Sequence, residues 1–146
     1  MKQFTLPKSE RLYLREAIGQ LFAKGKGFMV FPYRVVYRIL PEEEDPQEVR
    51  VAIMTVAPKK KFKHAVDRNR VKRLTREAYR INKVELHDFL ASKNLKLQVA
   101  FIYADNHFLT FDETQRRIQQ AIKNITSKVL RHNLNTTSPS TTSDPS

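Results

Sequence analysis

Residues 67–81 place basic and apolar side chains on opposite sides of a helix, and this pattern constrains the fold more than any other feature. At about 100° per residue, six side chains fall within one sector of roughly 140°. They are Arg68, Asn69, Lys72, Arg73, Arg76 and Arg80. The apolar positions opposite them are Val71, Leu74, Ala78 and Ile81. The pattern predicts a helix that docks its apolar stripe on a core and presents its other face to an anion.

This basic face contains almost no acidic side chains. A solvated, salt-bridged face is the common explanation for a charged helix, but such faces interleave both signs at spacings of three or four residues. The only acids here are Glu77 and Asp67, and an acid at position 67 suits the first turn of the helix. The side chains that we expect to lack a partner within the helix are Arg68, Lys72, Arg76 and Arg80. We predict that the face binds a nucleic-acid backbone.

The charge balance of the whole chain also favours a polyanionic partner. The 146 residues include 27 Lys and Arg against 15 Asp and Glu, which gives a formal net charge of +12. An anionic membrane surface or an acidic protein would also attract such a chain. However, no apolar run approaches the roughly 18 residues of a spanning helix, and the N-terminus has no signal-peptide core. We expect a cytoplasmic protein with no membrane partner and no obligate protein partner.

The side chains that usually carry catalysis are missing or scattered. There is no cysteine, which excludes disulfides, thiolate zinc sites and cysteine nucleophiles. No pair of histidines has metal-ligand spacing, and the acidic residues at 42–45 are consecutive in one loop, whereas a two-metal nuclease needs carboxylates that converge. No nucleophile elbow and no P-loop is present. We expect no catalytic residue and no metal or cofactor held by this chain alone, so any catalysis comes from a partner.

The first half of the chain predicts one helix and a set of strands. Ser9 is a candidate N-cap for the helix, and Gly25 is its expected stop. Residues 28–31 and 33–40 predict two strands, or one strand broken by the proline between them. Residues 49–56 predict a further strand, which we expect to form an antiparallel hairpin with the preceding one across the acidic loop.

The second half predicts a strand between two helices. The basic helix is followed by a short helical or irregular linker at 84–90 and a strand at 95–104 that is apolar enough to lie inside a sheet. Thr110 and Glu113 form a capping-box pair, which opens a helix that runs to about Leu130. Its expected buried stripe consists of Ile118, Ala121 or Ile122, Ile125 and Val129.

These elements predict an α+β fold. The order α-β-β-β-α-β-α makes a two-layer domain, with the helices on one face of a four-stranded mixed sheet. We expect residues 1–131 to form a single RNA-binding domain. Residues 132–146, rich in Ser, Thr, Pro and Asn, form a tail that we expect to be disordered.

The basic helix also resembles a known family signature. Residues 68–80 read RNRVKRLTREAYR and follow Ala65-Val66, and this run is similar to the signature of the protein subunit of bacterial ribonuclease P. That enzyme is a ribonucleoprotein endonuclease, a hydrolase that removes the 5′ leader from precursor tRNA. The resemblance covers about residues 4–130. It implies a ribosomal-protein-like βαβ crossover, left-handed in the family, and a catalytic RNA subunit that positions Mg²⁺.

The resemblance assigns roles to residues of this chain. One face docks on the ribonuclease P RNA by phosphate and sugar contacts. The residues of this RNA-binding face are Arg68, Asn69, Arg70, Lys72, Arg73, Arg76 and Arg80, with Lys60 and Lys61 before the helix. The second site is a cleft for the 5′ leader of precursor tRNA. The residues of this leader cleft are Phe22, Tyr37 and Ile18.

Three of these positions, and Lys63 before the helix, have alternatives or departures. Arg70 lies beside the apolar stripe, so it is a candidate for locking the helix onto the domain. Tyr37 is equally consistent with a tyrosine at the rim of a core. Ile18 stands where the family has an aromatic residue and cannot stack like a ring. Lys63 stands where the family has glycine, which predicts a different backbone conformation in that turn.

Two other classes of protein compete with this interpretation. A ribosomal protein with a similar βαβ unit would have the same composition, although it would not need the signature at 68–80. A DNA-binding transcription factor would place a helix-turn-helix pair before its recognition helix. Because strands flank the basic helix in this sequence, the second alternative is the weaker one.

Overall fold

The computed structural model describes residues 15–41 and 50–137. Eight helices and strands follow one another in this part of the chain. In order they are α1 (Arg15–Lys24), β1 (Lys26–Val30), β2 (Tyr33–Pro41), β3 (Val51–Val56), α2 (Ala65–Asn82), α3 (Val84–Lys93), β4 (Leu95–Tyr103) and α4 (Phe111–Thr137). The predicted α+β class is confirmed. The predicted first helix ends at Gly25 as expected, whereas its candidate N-cap, Ser9, lies outside the described residues.

The four strands form one mixed sheet in the order β1-β2-β4-β3. β1 and β2 are separate strands that pair antiparallel through a turn at Phe31 and Pro32. β4 lies between β2 and β3, antiparallel to β2 and parallel to β3. The predicted hairpin between β2 and β3 is therefore wrong, because the central position is taken by the more apolar β4. Val99, Ala100 and Phe101 of β4 are buried, as expected for a strand with neighbours on both sides.

The parallel pair β3 and β4 is joined by the two helices α2 and α3, so the predicted βαβ crossover is present. Its left-handed sense stays a prediction. The segment predicted as a linker at 84–90 belongs to α3, a regular helix that buries Leu86 and Leu90. α3 ends at Asn94, whose left-handed conformation (φ 58°) closes the helix and starts β4.

Helices cover both faces of the sheet. Alternate residues of a strand point to opposite faces, and those of β2 belong to two different clusters. Tyr33, Val35 and Tyr37 pack in the main core with α2, α3 and α4. Val36 packs on the other face against Leu21 of α1. The prediction that all helices share one face is therefore wrong for α1.

The last helix begins as predicted and extends further. The Thr110 amide donates to Glu113 Oε1 (2.9 Å) and the Glu113 amide donates to Thr110 Oγ1 (3.1 Å), which completes the capping box. The buried stripe consists of Ile118, Ala121, Ile122, Ile125 and Val129, so both candidates at 121 and 122 are buried. The helix ends at Thr137, so the first residues of the predicted tail, 132–137, are helical. The remainder of that tail, and the acidic loop at 42–45, lie outside the described residues.

None of the helices in the described ranges is long and apolar enough to cross a membrane.

The junction between α1 and β1 depends on the small size of Gly25. Its amide donates to the Leu21 carbonyl at 2.7 Å. A Cβ atom at this position would lie 2.4 Å from the Leu21 carbonyl oxygen and 2.9 Å from the Tyr37 carbonyl oxygen. Both neighbours are backbone atoms and cannot rotate away, so glycine is required here by close approach of the backbone.

We expect Gly25→Ala to lower the free energy of unfolding by about 1–3 kcal/mol, as overpacked sites do. The matched control is Gly19→Ala within α1, because a Cβ there meets nothing within 4 Å. Alanine also favours helix over glycine, so Gly19→Ala is expected to be neutral or to stabilise by up to about 1 kcal/mol. Urea unfolding followed by circular dichroism measures both, and equal unfolding midpoints would contradict the requirement at position 25.

Candidate nucleic-acid interface

The basic helix α2 is fixed on the sheet by a buried stripe that differs from the predicted one. The buried residues of α2 are Val71, Thr75, Ala78 and Tyr79, whereas Leu74 and Ile81 are partly exposed. The observed stripe is therefore rotated about the helix axis relative to the predicted one, which followed the apolar side chains alone. It missed two buried side chains with hydroxyl groups, because their polar atoms are satisfied inside the core.

The hydroxyl groups of Tyr33 on β2 and Thr75 on α2 join the helix to the sheet. Their oxygens lie 2.6 Å apart, and Thr75 Oγ1 also lies 2.9 Å from the Val71 carbonyl, to which it donates. Tyr33 then donates to Thr75. Both residues are 1% exposed, and burial raises the pKa of Tyr33 well above its usual value. The hydroxyl remains protonated and can serve as a donor at any physiological pH.

Three basic residues of the outward face are held by hydrogen bonds. Arg68 donates to the carbonyls of Phe62 (2.9 Å) and Lys63 (2.8 Å), which fixes the turn before the helix. Arg76 donates to Thr55 Oγ1 of β3 at 3.2 Å. Arg80 forms an ion pair with Glu77, one turn earlier. The expectation that it has no partner within the helix is therefore wrong for Arg80.

Asn69, Lys72 and Arg73 form the freest part of the face. Asn69 and Arg73 are exposed, and Lys72 is partly exposed. Among the residues that the structure describes, no acidic side chain forms an ion pair with Lys72 or Arg73. These two cations have charge available for an external anion.

Arg70 contacts the domain itself. Its guanidinium carbon lies 4.3 Å from the centre of the Phe108 ring, and Phe108 in turn stacks on Phe62 with ring centroids 5.1 Å apart. A cation over an aromatic face is attracted by the ring quadrupole. The geometry favours the alternative in which Arg70 locks α2 against the segment before α4, although the residue is still exposed at the surface.

The three lysines at 59–61, before α2, form a tight turn that we call the lysine turn. The amides of Lys61 and Phe62 both donate to the Pro58 carbonyl, and Lys59 and Lys60 are exposed. Lys63 has no positive φ, since Asn94 alone has one among the described non-glycine residues. The substitution of lysine for the family's glycine therefore introduces no backbone strain in this turn.

The three residues predicted for the leader cleft do not lie together. Ile18 packs on the cluster between α1 and the sheet, and Phe22 of the same helix is 46% exposed. Tyr37 is 5% exposed and belongs to the core on the opposite face of the sheet. Tyr37 therefore occupies the position of a core-rim tyrosine, and only Ile18 and Phe22 share a face.

A row of side chains across the sheet, on the face of α1, extends this surface. The strand registers align Met29, Arg34, Ile102 and Val56 from β1 to β3. Met29 and Arg34 are exposed, and Ile102 and Val56 are partly exposed. We call these four residues the sheet row. Because β3 ends at Val56, the row ends close in sequence to the lysine turn. The row is not visible in the sequence because its members come from four different strands.

Comparison with known proteins identifies the chain. The model of the Ribonuclease P family matches residues 6–129. A ribonuclease P protein component of Porphyromonas gingivalis is 43% identical over 127 residues, which cover 86% of this chain and 90% of the relative. The chain belongs to the ribonuclease P protein component family. It is thus the protein component of an endoribonuclease whose other partner is the ribonuclease P RNA.

Other members of the ribonuclease P family extend the comparison. The ribonuclease P protein component of Chlorobaculum tepidum is 31% identical over 135 residues, covering 86% of this chain and 85% of the relative. The solved structure of the Staphylococcus aureus RNase P protein has a TM-score of 0.59 and covers 81% of this chain and 96% of its own. At 19% identity that likeness supports the fold alone.

The hydrogen bond between Tyr33 and Thr75 predicts that two substitutions lower the stability of the domain by different amounts. Thr75→Val leaves the Tyr33 hydroxyl buried without its partner, so we expect a loss of about 1–3 kcal/mol in the free energy of unfolding. Tyr33→Phe removes that hydroxyl while Thr75 keeps the Val71 carbonyl, so its expected loss is smaller, about 1 kcal/mol. Urea unfolding measures both variants and their combination. A smaller loss for Thr75→Val than for Tyr33→Phe would contradict the assigned hydrogen bond.

Proposed function

We propose that this chain binds the ribonuclease P RNA with the outward face of α2 and the lysine turn, and promotes endonucleolytic removal of the 5′ leader from precursor tRNA. The observation that carries the proposal is the orientation of α2. Its buried stripe faces the sheet, which leaves Lys72 and Arg73 outside, and neither forms an ion pair with an acidic side chain among the described residues. A folded domain thereby presents fixed positive charge to a phosphate backbone.

The chemistry of cleavage belongs to the RNA subunit in this proposal. Mg²⁺ held by that RNA supplies the metal for hydrolysis, and this chain holds no metal ion by itself. Within residues 15–41 and 50–137, no three acidic or histidine side chains are grouped as a metal site. The basic face instead acts by position. It lowers the repulsion between catalytic RNA and substrate, two polyanions, and so reduces the Mg²⁺ concentration needed to hold them together.

The leader of the precursor is assigned to the surface between α1 and the sheet. Phe22 offers an exposed ring on which a base can stack, and Ile18 offers apolar contact beside it. Arg34 of the sheet row adds an exposed cation, and the lysine turn follows the other end of the row. A single strand crossing this surface would bring its phosphates toward the basic face. A precursor with a leader is then bound more tightly than the mature product.

A protein with this function works where precursor tRNA is made and processed, which in a bacterium is the cytoplasm.

Cleavage of precursor tRNA by a bacterial ribonuclease P RNA tests the proposal directly. At a low Mg²⁺ concentration, where the RNA alone is nearly inactive, we expect this protein to restore cutting at the mature 5′ end. High Mg²⁺ provides the control that the RNA is intact. No stimulation together with tight binding to ribosomal RNA would instead establish the ribosomal alternative, and preference for duplex DNA would establish the transcription-factor alternative.

The leader assignment predicts a selective effect of Phe22→Ala. Loss of one base stack is worth about 1–3 kcal/mol, so we expect the assembled enzyme to bind leader-bearing precursor roughly five- to 150-fold more weakly. Affinity for mature tRNA should not change. Ile18→Phe should have the opposite effect on the precursor, because it adds a ring one helical turn away.

The matched control for this measurement is Leu130→Ala, which removes an exposed apolar side chain from α4. Equal losses for precursor and mature tRNA in the Phe22→Ala enzyme would overturn the leader assignment while leaving RNA docking by α2 intact.

A further inference from the structure

A basic cavity lies at a corner of the domain that the function described so far does not use. It has a volume of about 480 Å³ and lies where the end of α1, the first residue of β1, the later part of β2 and the C-terminal part of α4 meet. Its polar lining consists of Lys24, Lys26, Arg38, Lys128, Arg131 and Tyr37. A cavity of this size is in the range of small-ligand sites.

The lining carries five cations and no acid. Among the described residues, none of the five forms an ion pair with an acidic side chain. Lys128 Nζ lies 5.5 Å above the ring of Phe28, which itself packs against Tyr37 with ring centroids 6.0 Å apart. Arg131 is close enough to Tyr37 to oppose the rise in pKa that burial causes there. The cavity therefore concentrates positive charge that no acidic side chain in its lining neutralises, next to the aromatic rings of Phe28 and Tyr37.

Ordinary helix electrostatics explain one of these cations only. Lys24 is in the last turn of α1, where the helix dipole favours a positive charge. The helix dipole does not favour a positive charge at Lys128 or Arg131, because α4 continues beyond them to Thr137. They come from a different element from Lys24, Lys26 and Arg38, so the fold brings like charges together at an energetic cost. An anion in the cavity would remove that cost.

This cavity is separate from the basic face of α2. Arg70 of that face stacks on Phe108, just before α4 begins, whereas the cavity involves residues 128–131 of the same helix. The rise of 1.5 Å per residue from Phe111 to Arg131 gives a separation of about 30 Å along α4. The two basic surfaces therefore lie toward opposite ends of a continuous helix, which acts as a rigid spacer.

We propose that the cavity is a second phosphate-binding site, which takes a backbone phosphate of RNA. The proposal rests on the proposed function, since it assumes that the domain binds RNA through α2. Phosphate is the anion that fits, because lysines and arginines from several elements can surround its oxygens. Two contacts about 30 Å apart would fix the orientation of the protein on its RNA, which one contact cannot do. The phosphodiester comes from either the catalytic RNA or the precursor tRNA.

The test compares the salt dependence of RNA binding in three charge-removal variants. Lys128→Gln/Arg131→Gln removes two charges from the cavity, and Lys72→Gln/Arg73→Gln removes two from the basic face. Arg117→Gln/Lys123→Gln removes two exposed charges from α4 outside both surfaces and serves as the control. We expect the cavity variant to bind more weakly than the control, with a log–log salt slope shallower by about 0.7–0.9 for each phosphate that the protein no longer neutralises. Circular dichroism melting verifies that each variant is folded.

Two arms of the experiment identify the source of the phosphate. In the first, each protein is titrated with ribonuclease P RNA alone, and in the second, preassembled enzyme is titrated with precursor tRNA. A shallower slope in the first arm assigns the phosphate to the catalytic RNA, and one confined to the second assigns it to the precursor. The cavity site is overturned if the cavity variant has the same slope as the control in both arms. In that outcome Lys72→Gln/Arg73→Gln still makes the slope shallower, which shows that the measurement detects lost phosphate contacts. Failure of the proposed function would look different, because the unaltered protein would then not restore cleavage of precursor tRNA at a low Mg²⁺ concentration.

Discussion

The hydrogen bond between Tyr33 and Thr75 fixes the rotation of α2, and the proposed binding surface follows from that rotation. Side chains of a helix advance by about 100° per residue, so a helix that turns Thr75 into the core turns Arg73 roughly 160° away from it. The apolar members of the stripe, Val71 and Ala78, favour burial but tolerate small rotations, since the hydrophobic effect is not directional. A buried hydroxyl pair does not tolerate them, because a displaced partner leaves an unsatisfied polar group inside the core. The directional contact therefore sets where the cations point.

The position of β4 between β2 and β3 connects the two parts of the proposed RNA surface. Because β3 lies at the edge of the sheet and leads into the lysine turn, the sheet row of Met29, Arg34, Ile102 and Val56 runs from β1 toward the start of α2. Had β3 paired directly with β2, Ile102 would not lie between Arg34 and Val56. The crossover through α2 and α3 therefore does more than join two parallel strands. It makes the lysine turn, which precedes the basic face, follow directly on the β3 end of the sheet row.

The periodicity of apolar residues predicted which segments form helices and strands, but it did not predict which strands lie side by side. The alternation in β2 and β3 indicates which residues point inward, but it has the same form whichever strand lies alongside, so it does not distinguish the predicted β2–β3 hairpin from the observed pairing of both strands with β4. In α2, the basic residues were recognised because charge is visible in sequence, whereas Thr75 and Tyr79 were missed because their burial depends on partners far along the chain. Tyr37 shows the same limit. Its identity suited the leader cleft, but strand alternation placed it on the opposite face from Phe22.

The concentration of charge makes folding and RNA binding interdependent. A chain with a net charge of +12 repels itself most when it is compact, and the fold brings Lys128 and Arg131 near Lys24, Lys26 and Arg38 without an acid lining the cavity. Buried contacts such as those of Tyr33, Tyr79 and Phe101 offset that repulsion in the free protein. A polyanion that binds only the folded state removes it and adds stability in proportion to the logarithm of its concentration relative to its dissociation constant. In the proposed complex, the charges that weaken the isolated domain are thus the same charges that stabilise it, so a protein that acts through a partner can retain many of them.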